Sequence, residues 1–314
     1  MNKSTIIIVV PCYNEQEILA DSNNRLLKLL QQLISDNIIS PNSRILYVND
    51  GSKDSTWQII KQLHDETPFV CGVNLARNVG QQNALVAGLS VALEGGDLLI
   101  TIDADLQDDI NAIPEMIKKY QEGNDIVYGV RQERKTDSFF KRQSALFFYK
   151  LMEILGVNTV YNHADYRLMS SRAVNELLKY KERNIFLRGI VPLIGYQTAN
   201  VYYNRNRRVA GKSKYSFLNM LNFAIDGVTS FSIKPVRMIF ILGLIFILIS
   251  FGILIYVLHA LISGNAVQGW TSIILSIWFV GGCVLIGLGV VGEYIGKIYI
   301  EVKDRPRYNI KEII

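Results

Sequence analysis

Two aspartates come directly after a run of apolar residues, and they are well placed for metal chemistry. Residues 98–102 read Leu-Leu-Ile-Thr-Ile, which is typical of a buried strand, and Asp103-Ala104-Asp105 follows. In an extended chain, residues two apart leave the same face, so both carboxylates point the same way. Neighbouring carboxylates repel each other, and a divalent cation carrying a diphosphate would relieve the repulsion. Gln107 can add a neutral oxygen, whereas a simpler interpretation is that these acids only cap the next helix.

The apolar pattern predicts that strands and helices alternate over the first 131 residues. Each predicted strand is a short run of apolar and β-branched residues, and the helices between them repeat leucine or isoleucine at helical spacing. This alternation is typical of a parallel sheet built from right-handed βαβ units. The predicted strands are Thr5–Val10, Arg44–Asn49, Phe69–Leu75, Leu98–Ile102 and Asp125–Val130, and the predicted helices are Ile18–Leu33, Ser55–Leu63, Gln81–Leu93 and Ile113–Tyr120.

Distinctive polar residues follow four of these strands, and in an open parallel sheet such residues line one crevice. Asp50 can accept hydrogen bonds from a nucleobase or ribose, although Asp-Gly-Ser is also ordinary turn chemistry. Tyr13 can stack on a base or simply pack, and Arg131 can hold a phosphate or only face solvent. No glycine-rich dinucleotide loop and no GxxxxGK(S/T) sequence follows a strand, which argues against a Rossmann dehydrogenase and a P-loop enzyme.

Apolar residues concentrate towards the C-terminus of this 314-residue chain. No Lys, Arg, Asp or Glu occurs between Met238 and Gly292. Two stretches, 238–262 and 271–291, are each long enough to cross a membrane as a helix, and the polar turn 263–269 separates them. We therefore expect a transmembrane hairpin, because uncharged runs of this length are rare in the buried hairpins of soluble proteins.

Basic residues flank both predicted spans, and the turn between them has none. The positive-inside rule therefore places both flanks in the cytoplasm and predicts a multi-pass protein of the cytoplasmic (inner) membrane. We expect a cytosolic domain at 1–215, an amphipathic juxtamembrane segment at 216–235, the hairpin at 236–292 and a cytosolic tail at 293–314. The net charge of +5 gathers near the membrane, which favours anionic lipid over nucleic acid as a partner. The flanking residues include Arg205, Arg207, Arg208, Lys212, Lys214, Lys234 and Arg237 before the hairpin and Lys297, Lys303, Arg305, Arg307 and Lys311 after it.

Four segments in this order resemble glycosyltransferase family 2. They read PCYNE at 11–15, VNDGSKDST at 48–56, IDADLQDD at 102–109 and RRVAGKSKYS at 207–216. With the hairpin they are similar, more narrowly, to polyprenyl-phosphate glycosyltransferases of the bactoprenol glucosyltransferase type, which are related to dolichol-phosphate mannose synthase. The resemblance covers essentially the whole chain. It implies a GT-A fold, an α/β domain with a mainly parallel sheet, followed by the two-helix transmembrane hairpin.

The resemblance also implies roles for single residues. The positions that match nucleoside-binding residues are Pro11, Tyr13, Glu15, Val48 and Asp50. The positions at the diphosphate and its Mg²⁺ or Mn²⁺ are Asp103, Ala104, Asp105 and Gln107, with Asp103, Asp105 and Gln107 as the metal ligands. The positions that match contacts to donor or acceptor phosphates are Arg131, Arg208 and Lys214. Asp165 falls where the family often has an acidic residue near the reacting sugar, which makes it a candidate base beside the catalytic Asp105.

The implied reaction moves a hexose from a nucleotide-diphosphate sugar to polyprenyl (undecaprenyl) phosphate on the cytoplasmic face. UDP-glucose is the first choice of donor, followed by N-acetylglucosamine, galactose and mannose donors. A phosphate monoester has its second pKa near 6, so the acceptor is already largely deprotonated and Asp165 can orient groups rather than remove a proton. Direct attack by phosphate would invert the anomeric centre. Assembly into a dimer or tetramer through the hairpin is also expected.

Two other functions fit parts of the sequence. A processive polysaccharide synthase usually has more spans and a QxxRW motif. This sequence has neither, since none of its tryptophans, Trp57, Trp270 and Trp278, lies in such a motif. A membrane-tethered nucleotide-sugar sensor or scaffold would bind its ligand without transferring sugar. The intact Asp103/Asp105 pair argues against such a scaffold, and a transfer assay separates these alternatives.

Overall fold

The strands and helices of the first 131 residues form most of an α/β sheet structure, and later residues complete it. The computed structural model describes residues 3–132, 163–183, 185–204 and 269–314, together with individual positions between 236 and 262. These residues fall into two compact units. The first unit contains the sheet and Arg305–Ile314, and the second contains the described residues from 236 to Asp304.

The nine predicted elements are all observed, and their ends differ from the prediction by three residues or fewer. Three further strands follow them along the chain. The strands are β1 (Ile6–Cys12), β2 (Arg44–Asn49), β3 (Val70–Leu75), β4 (Leu98–Thr101), β5 (Ile126–Arg131), β6 (His163–Ser170), β7 (Thr198–Tyr203) and β8 (Ile310–Ile313). The helices are α1 (Leu19–Ser35), α2 (Thr56–Glu66), α3 (Gln81–Ala92), α4 (Ile113–Gln121), α5 (Ser171–Leu178), α6 (Leu187–Ile190) and α7 (Trp270–Val302), with short 3₁₀ turns at Ile110–Ala112 and Val191–Ile194.

All eight strands join one sheet in the order β7-β5-β6-β4-β1-β2-β3-β8. β1 pairs in parallel with β2 and β4, β2 with β3, and β5 with β7. β6 runs antiparallel between β4 and β5, and β8 runs antiparallel along β3. Six strands therefore point the same way, and their carboxyl ends meet at one edge of the sheet.

Helices on the sheet bury apolar side chains in the way their sequences predict. In α1 the buried leucines Leu19, Leu26, Leu30 and Leu33 repeat at helical spacing, and each contributes about 2 kcal/mol by leaving water. α3 approaches the sheet more closely, because Gly88 has no side chain. A Cβ atom at Gly88 would lie 2.5 Å from a methyl group of Val9. This close approach places the first residues of α3 next to the carboxyl edge.

β6 was not predicted, and its sequence shows why. Its residues include Asp165, Arg167 and Ser170, which are polar and yet 5%, 1% and 4% exposed. A strand that buries a carboxylate and a guanidinium does not follow the apolar pattern of the other strands. Since β6 is antiparallel, its first residues lie at the same edge as the last residues of β4 and β5.

The segment predicted as a cytosolic tail includes the last strand of the sheet. The amide and carbonyl of Ile314 both bond to those of Gly72 at 2.9 Å, and Ala76 donates to the Asn309 carbonyl at 2.9 Å. Glu312 accepts hydrogen bonds from the Trp57 indole at 3.2 Å and from the Lys61 ammonium at 2.6 Å. β8 thus covers an edge of β3 that would otherwise present unpaired backbone groups.

One helix of the second unit, within the described residues, is long and apolar enough to cross a membrane. It is the segment Phe279–Val302 of α7, which lies further along the chain than the predicted span 271–291. The described positions between 236 and 262 are also helical, but most of the first predicted span lies outside the described residues. The two-span hairpin and the juxtamembrane segment at 216–235 therefore stay predictions.

Removing β8 tests whether the tail is part of the folded sheet. A chain that ends at Asn309 should lose the Gly72–Ile314 bonds and the packing of Ile314, so its melting temperature in detergent should fall by about 5 °C or more. Lys311→Ala, which changes an exposed side chain of the same strand, is the control and should melt like the wild type. Equal melting temperatures for the truncated and full chains would contradict an integral role for β8.

Candidate active site

The predicted metal pair lies where β4 ends, and β6 brings a third carboxylate to the same place. β4 and β6 pair with Thr101 opposite Arg167. Continuing this antiparallel register by two residues places Asp165 opposite Asp103. The Thr101 hydroxyl also donates to the Asp165 carbonyl at 2.5 Å, which ties the two strand ends together.

The loop after β4 turns sharply and is held from both sides. Ser22 of α1 donates its hydroxyl to the Ala104 carbonyl at 2.6 Å. Leu106 takes a positive φ of 43°, and its amide donates to the Asp103 carbonyl at 3.2 Å. The Gln107 amide donates to the Asp105 carboxylate at 3.3 Å. The loop therefore has a defined shape before any ligand arrives.

Asp103 lies in a strongly negative environment. Burial, followed by the charges of Asp108, Asp165 and Asp105, raises the pKa of its carboxyl to about 7, while Arg188 opposes the rise. Gln81, at the start of α3, donates its side-chain amide to Asp103 at 2.7 Å. A carboxyl group surrounded by three others needs either a proton or a nearby cation at neutral pH.

This set of donors fits a hard divalent cation. Asp103 and Asp105 would supply carboxylate oxygens, and Gln107, which is 8% exposed and nearby in the chain, would supply an amide oxygen. Among the described residues, no three His, Cys, Asp or Glu side chains are grouped as a complete metal site. Mg²⁺ can be held by one or two carboxylates when substrate phosphates complete its shell.

The simpler interpretation, that the acids of this segment cap a helix, applies to one of them. Asp109 accepts a hydrogen bond from the Asn111 amide at 3.0 Å and begins the 3₁₀ turn at Ile110–Ala112. Asp103 and Asp105 make the different contacts described above.

Arg131, a predicted phosphate contact, is paired with a buried carboxylate. Its guanidinium lies 3.0 Å from Asp108, which is 2% exposed. Tyr203 of β7 donates its hydroxyl to the same carboxylate at 2.7 Å, and burial followed by the charge of Asp108 raises the pKa of that phenol. The arrangement fixes Arg131 at the carboxyl end of β5 with a quarter of its side chain exposed.

Asp165, the predicted base, accepts hydrogen bonds from side chains of β6, α3 and α6 in the described part of the chain. Arg167, on the same strand, donates at 2.6 Å, and Arg188 of α6 donates at 3.2 and 3.4 Å. Gln82 of α3 donates at 3.2 Å. A carboxylate held by two guanidinium groups is suited to orienting them.

The loops predicted to surround a nucleoside are joined to each other. The Asp50 amide donates to the Cys12 carbonyl at 2.9 Å, and the Asn14 amide donates to the Ser52 hydroxyl at 3.0 Å. The Glu15 amide donates to the Thr56 hydroxyl at 2.9 Å. Loops 11–15 and 50–56 therefore form one wall of the carboxyl edge, with Pro11, Tyr13 and Glu15 partly exposed along it.

Asp50 joins this wall to the start of α3. Its two carboxylate oxygens accept from the amides of Val79 and Gly80 at 2.7 and 3.0 Å. Burial raises the pKa of the Asp50 carboxyl, and these two amide bonds oppose the rise. The carboxylate, which is 3% exposed, thus supports the loop.

The structure brings most of the predicted site residues to this edge, but some of them are buried. Val48 is fully buried in β2, where its side chain packs against α3 next to Gly88, and Ala104 is 4% exposed. Arg208 and Lys214 lie outside the described residues. The binding roles of all these residues stay predictions.

Several side chains at the edge were not predicted. Asp108 stands inside the quoted IDADLQDD segment, and Arg167 follows Asp165 at strand spacing, so both had a signal in the sequence. Gln81, Gln82 and Arg188 had none, because only the packing of α3 and α6 against β4 and β6 brings them here.

Gly51→Ala should disturb the wall that loops 11–15 and 50–56 form at the carboxyl edge. Gly51 has a φ of +60°, and a Cβ there would lie 2.4 Å from the Asn78 backbone nitrogen. Gly123→Ala is the matched control, because Gly123 has a φ of +102° but no atom within 4 Å of an added Cβ. The control should cost about 1 kcal/mol, whereas Gly51→Ala should cost more and weaken nucleotide binding, as measured by melting and by nucleotide titration. Equal behaviour of the two variants would contradict a steric role for Gly51.

Asp103→Asn should stabilise the metal-free protein at high pH. A carboxyl whose folded pKa is about 7 lowers the stability above pH 7, and this cost falls as the pH decreases towards the unfolded value near 4. The variant should therefore melt several degrees above the wild type at pH 8 in EDTA, and the difference should shrink towards pH 5. Asp21→Asn, an exposed site on α1, should show no such trend. A pH-independent difference would contradict the crowding of charge at Asp103.

The chain is similar to known proteins in sequence and in structure. The family Glycosyl transferase family 2 matches residues 7–178. The uncharacterized glycosyltransferase YkoT of Bacillus subtilis (strain 168) is 49% identical over 309 residues, which cover 98% of this chain and 92% of that protein. The bactoprenol glucosyl transferase of Shigella phage SfII is 42% identical over 312 residues, which cover 98% and 97%. The mannosyl-3-phosphoglycerate synthase from Rubrobacter xylanophilus has a TM-score of 0.48 and 16% identity over 75% of this chain and 74% of that one.

The family match spans more than half of the chain, and these two relatives align with almost all of it. The GT-A-like α/β fold with a mostly parallel sheet is confirmed. The chain belongs to glycosyl transferase family 2, and it is a glycosyltransferase.

Proposed function

We propose that this glycosyltransferase moves a hexose from a nucleotide-diphosphate sugar, with UDP-glucose favoured, to a polyprenyl phosphate such as undecaprenyl phosphate. The relatives at 42% identity that are named bactoprenol glucosyl transferase support both the sugar and the acceptor. The reaction would occur at the cytoplasmic face of the inner membrane, with inversion at the anomeric carbon.

The observation that carries the proposal is the position of Asp103. It stands at the carboxyl end of β4 and is surrounded by the charges of three other carboxylates. A site of this kind favours the binding of a cation. A nucleotide diphosphate would bring the phosphate oxygens that complete the coordination shell of that cation. When bound, Mg²⁺ or Mn²⁺ would act as a Lewis acid that stabilises the departing nucleoside diphosphate. Asp103, Asp105 and Gln107 would hold it.

The remaining residues would bind and orient the two substrates. The wall formed by Pro11, Tyr13, Glu15 and Asp50 would receive the nucleoside. Arg131, which Asp108 holds in place, would contact phosphate together with Arg208 and Lys214. Of these three residues, the structure describes Arg131. Two phosphates must come close to each other, and fixed cations lower the cost of that approach.

In this scheme Asp165 would orient neighbouring side chains and would not act as a general base. A phosphate monoester is largely doubly ionised at neutral pH, so the acceptor oxygen attacks without losing a proton to the enzyme. The hydrogen bonds from Arg167 and Arg188 to Asp165 support this role, because they occupy the carboxylate that a general base would need.

Membrane attachment would bring the enzyme to its lipid acceptor. The helix Phe279–Val302 supports one span, and the uncharged run from Met238 supports a hairpin with spans near 238–262 and 271–291. The basic flanks support cytoplasmic termini and a multi-pass arrangement. The catalytic domain would then comprise residues 1–215, the juxtamembrane segment 216–235 and the hairpin 236–292. Within residues 293–314, β8 pairs with the sheet of the catalytic domain. Assembly into a dimer or tetramer through the hairpin is part of the same proposal.

Asp105→Ala tests the metal assignment and the transfer reaction together. The variant should retain membrane insertion but lose sugar transfer by about a hundredfold or more, because one of two carboxylate ligands is missing. Asp65→Ala, an exposed carboxylate on α2, is the matched control and should transfer like the wild type. Membranes would be incubated with labelled nucleotide sugars and undecaprenyl phosphate, with and without EDTA.

The same assay identifies the substrates. UDP-glucose should label the lipid more strongly than N-acetylglucosamine, galactose or mannose donors. Full activity of Asp105→Ala in EDTA would contradict the metal assignment. Binding of the nucleotide sugar without any labelled lipid would instead favour the scaffold, and long labelled polymers would favour the processive synthase.

A further inference from the structure

Arg188 stands at the carboxyl edge, where it shares the Asp165 carboxylate with a second guanidinium group. Asp165 faces two guanidinium groups, Arg167 and Arg188, whereas Arg131 and Arg172 each pair with a carboxylate of their own, Asp108 and Asp125. Two guanidinium groups therefore lie close together at this edge. Guanidinium groups that are held in place at a cleft suit an anionic ligand.

The two arginines differ in how they are held. Arg167 is 1% exposed and lies 2.6 Å from Asp165, so it neutralises the carboxylate inside the protein. Arg188 is 33% exposed in its side chain and makes longer contacts of 3.2 and 3.4 Å. Of the pair, Arg188 is the one that can reach a ligand arriving from solvent.

The backbone at Arg188 is fixed by the same network. The amide of Leu187 donates to the Gln82 side chain at 3.1 Å, and its carbonyl accepts from Arg167 at 3.4 Å. Gln82 and Arg167 both also contact Asp165. Leu187 is 2% exposed and anchors α6 in the core. Asp165 and its partners thus position Arg188 before a ligand binds.

The position of Arg188 connects it with the proposed reaction centre. It contacts Asp165 at 3.2 Å, and the register of β4 and β6 places Asp165 opposite Asp103. Gln81 and Gln82, consecutive residues of α3, contact Asp103 and Asp165 respectively. Arg188 therefore lies beside the place where the diphosphate is expected.

We propose that Arg188 binds a phosphate group of one of the two substrates and that Asp165 is its positioning residue. This inference rests on the proposed function, in which both the donor and the acceptor have phosphates. The guanidinium suits this task, because its planar set of donors matches the oxygens of a phosphate. The two sources of the phosphate are distinguished by which substrate loses affinity.

The first test is the kinetics of Arg188→Ala and Arg188→Lys. Arg188→Ala should raise the KM for either the nucleotide sugar or the polyprenyl phosphate by about tenfold to a hundredfold, which is the effect of losing one charge-assisted hydrogen bond. Arg188→Lys should keep the charge and restore part of the affinity, and added methylguanidinium should partly rescue Arg188→Ala. A raised KM for the donor assigns Arg188 to the diphosphate, and a raised KM for the acceptor assigns it to the lipid phosphate.

Arg172→Ala is the matched control, because Arg172 pairs with a buried carboxylate, Asp125, at the other end of the neighbouring strand β5. It should lower the melting temperature without changing either KM. Asp165→Asn should raise the same KM as Arg188→Ala and leave the shape of the pH–rate profile unchanged. If Arg188→Ala changes neither KM, or resembles Arg172→Ala in all readouts, the inference is overturned. Loss of the acidic limb in Asp165→Asn would overturn the positioning role, because a general base must be deprotonated to act.

Binding of simple anions separates this inference from the proposed function. Calorimetry with pyrophosphate and with inorganic phosphate needs no sugar transfer, so it applies even if the wild type fails to label polyprenyl phosphate. Weaker binding of either anion to Arg188→Ala than to the wild type and Arg172→Ala supports the inference. Equal binding of both anions to all three proteins contradicts it.

Discussion

The concentration of negative charge at one edge of the sheet is the constraint on which the site depends. Burial, together with the charges of Asp108, Asp165 and Asp105, raises the pKa of Asp103. Carboxylates this close are stable only if cations or donors lie between them. Arg131 and Tyr203 satisfy Asp108, while Arg167, Arg188 and Gln82 satisfy Asp165. The pKa of Asp103 stays raised despite these contacts.

This balance requires strands that come from distant parts of the chain. Asp103 and Asp105 follow the end of β4, and Asp165 lies near the start of β6, which pairs antiparallel with β4. Reversing the direction of one strand brings its amino end to the carboxyl edge of the others. A wholly parallel sheet would place residues near the start of a strand at the opposite edge, far from the predicted metal pair. The antiparallel insertion of β6 is therefore what joins Asp165 and its arginines to the site.

Much of the fold could be predicted from local patterns. The first five strands and four helices follow apolar periodicity, because each buries a regular set of side chains against a neighbour. β6 could not be predicted in this way, since its buried Asp165 and Arg167 pair with each other and break the apolar pattern. β8 lies after a long apolar helix in the sequence, and only its pairing with β3 shows that it belongs to the sheet.

Within the site, the sequence by itself determined the acidic pair, the turn residues at the strand ends, the uncharged C-terminal run and the family resemblance, because each depends on residues that are close along the chain. The tertiary structure alone decided which cation faces which carboxylate. Arg131 could have been expected to face phosphate freely, yet Asp108 and Tyr203 hold it. Arg188 had no distinguishing neighbour in sequence, yet the packing of α3, α6 and β6 places it beside Asp165 and within electrostatic reach of Asp103. Charge pairing depends on distance in space, and residues 23 positions apart meet only after the chain has folded.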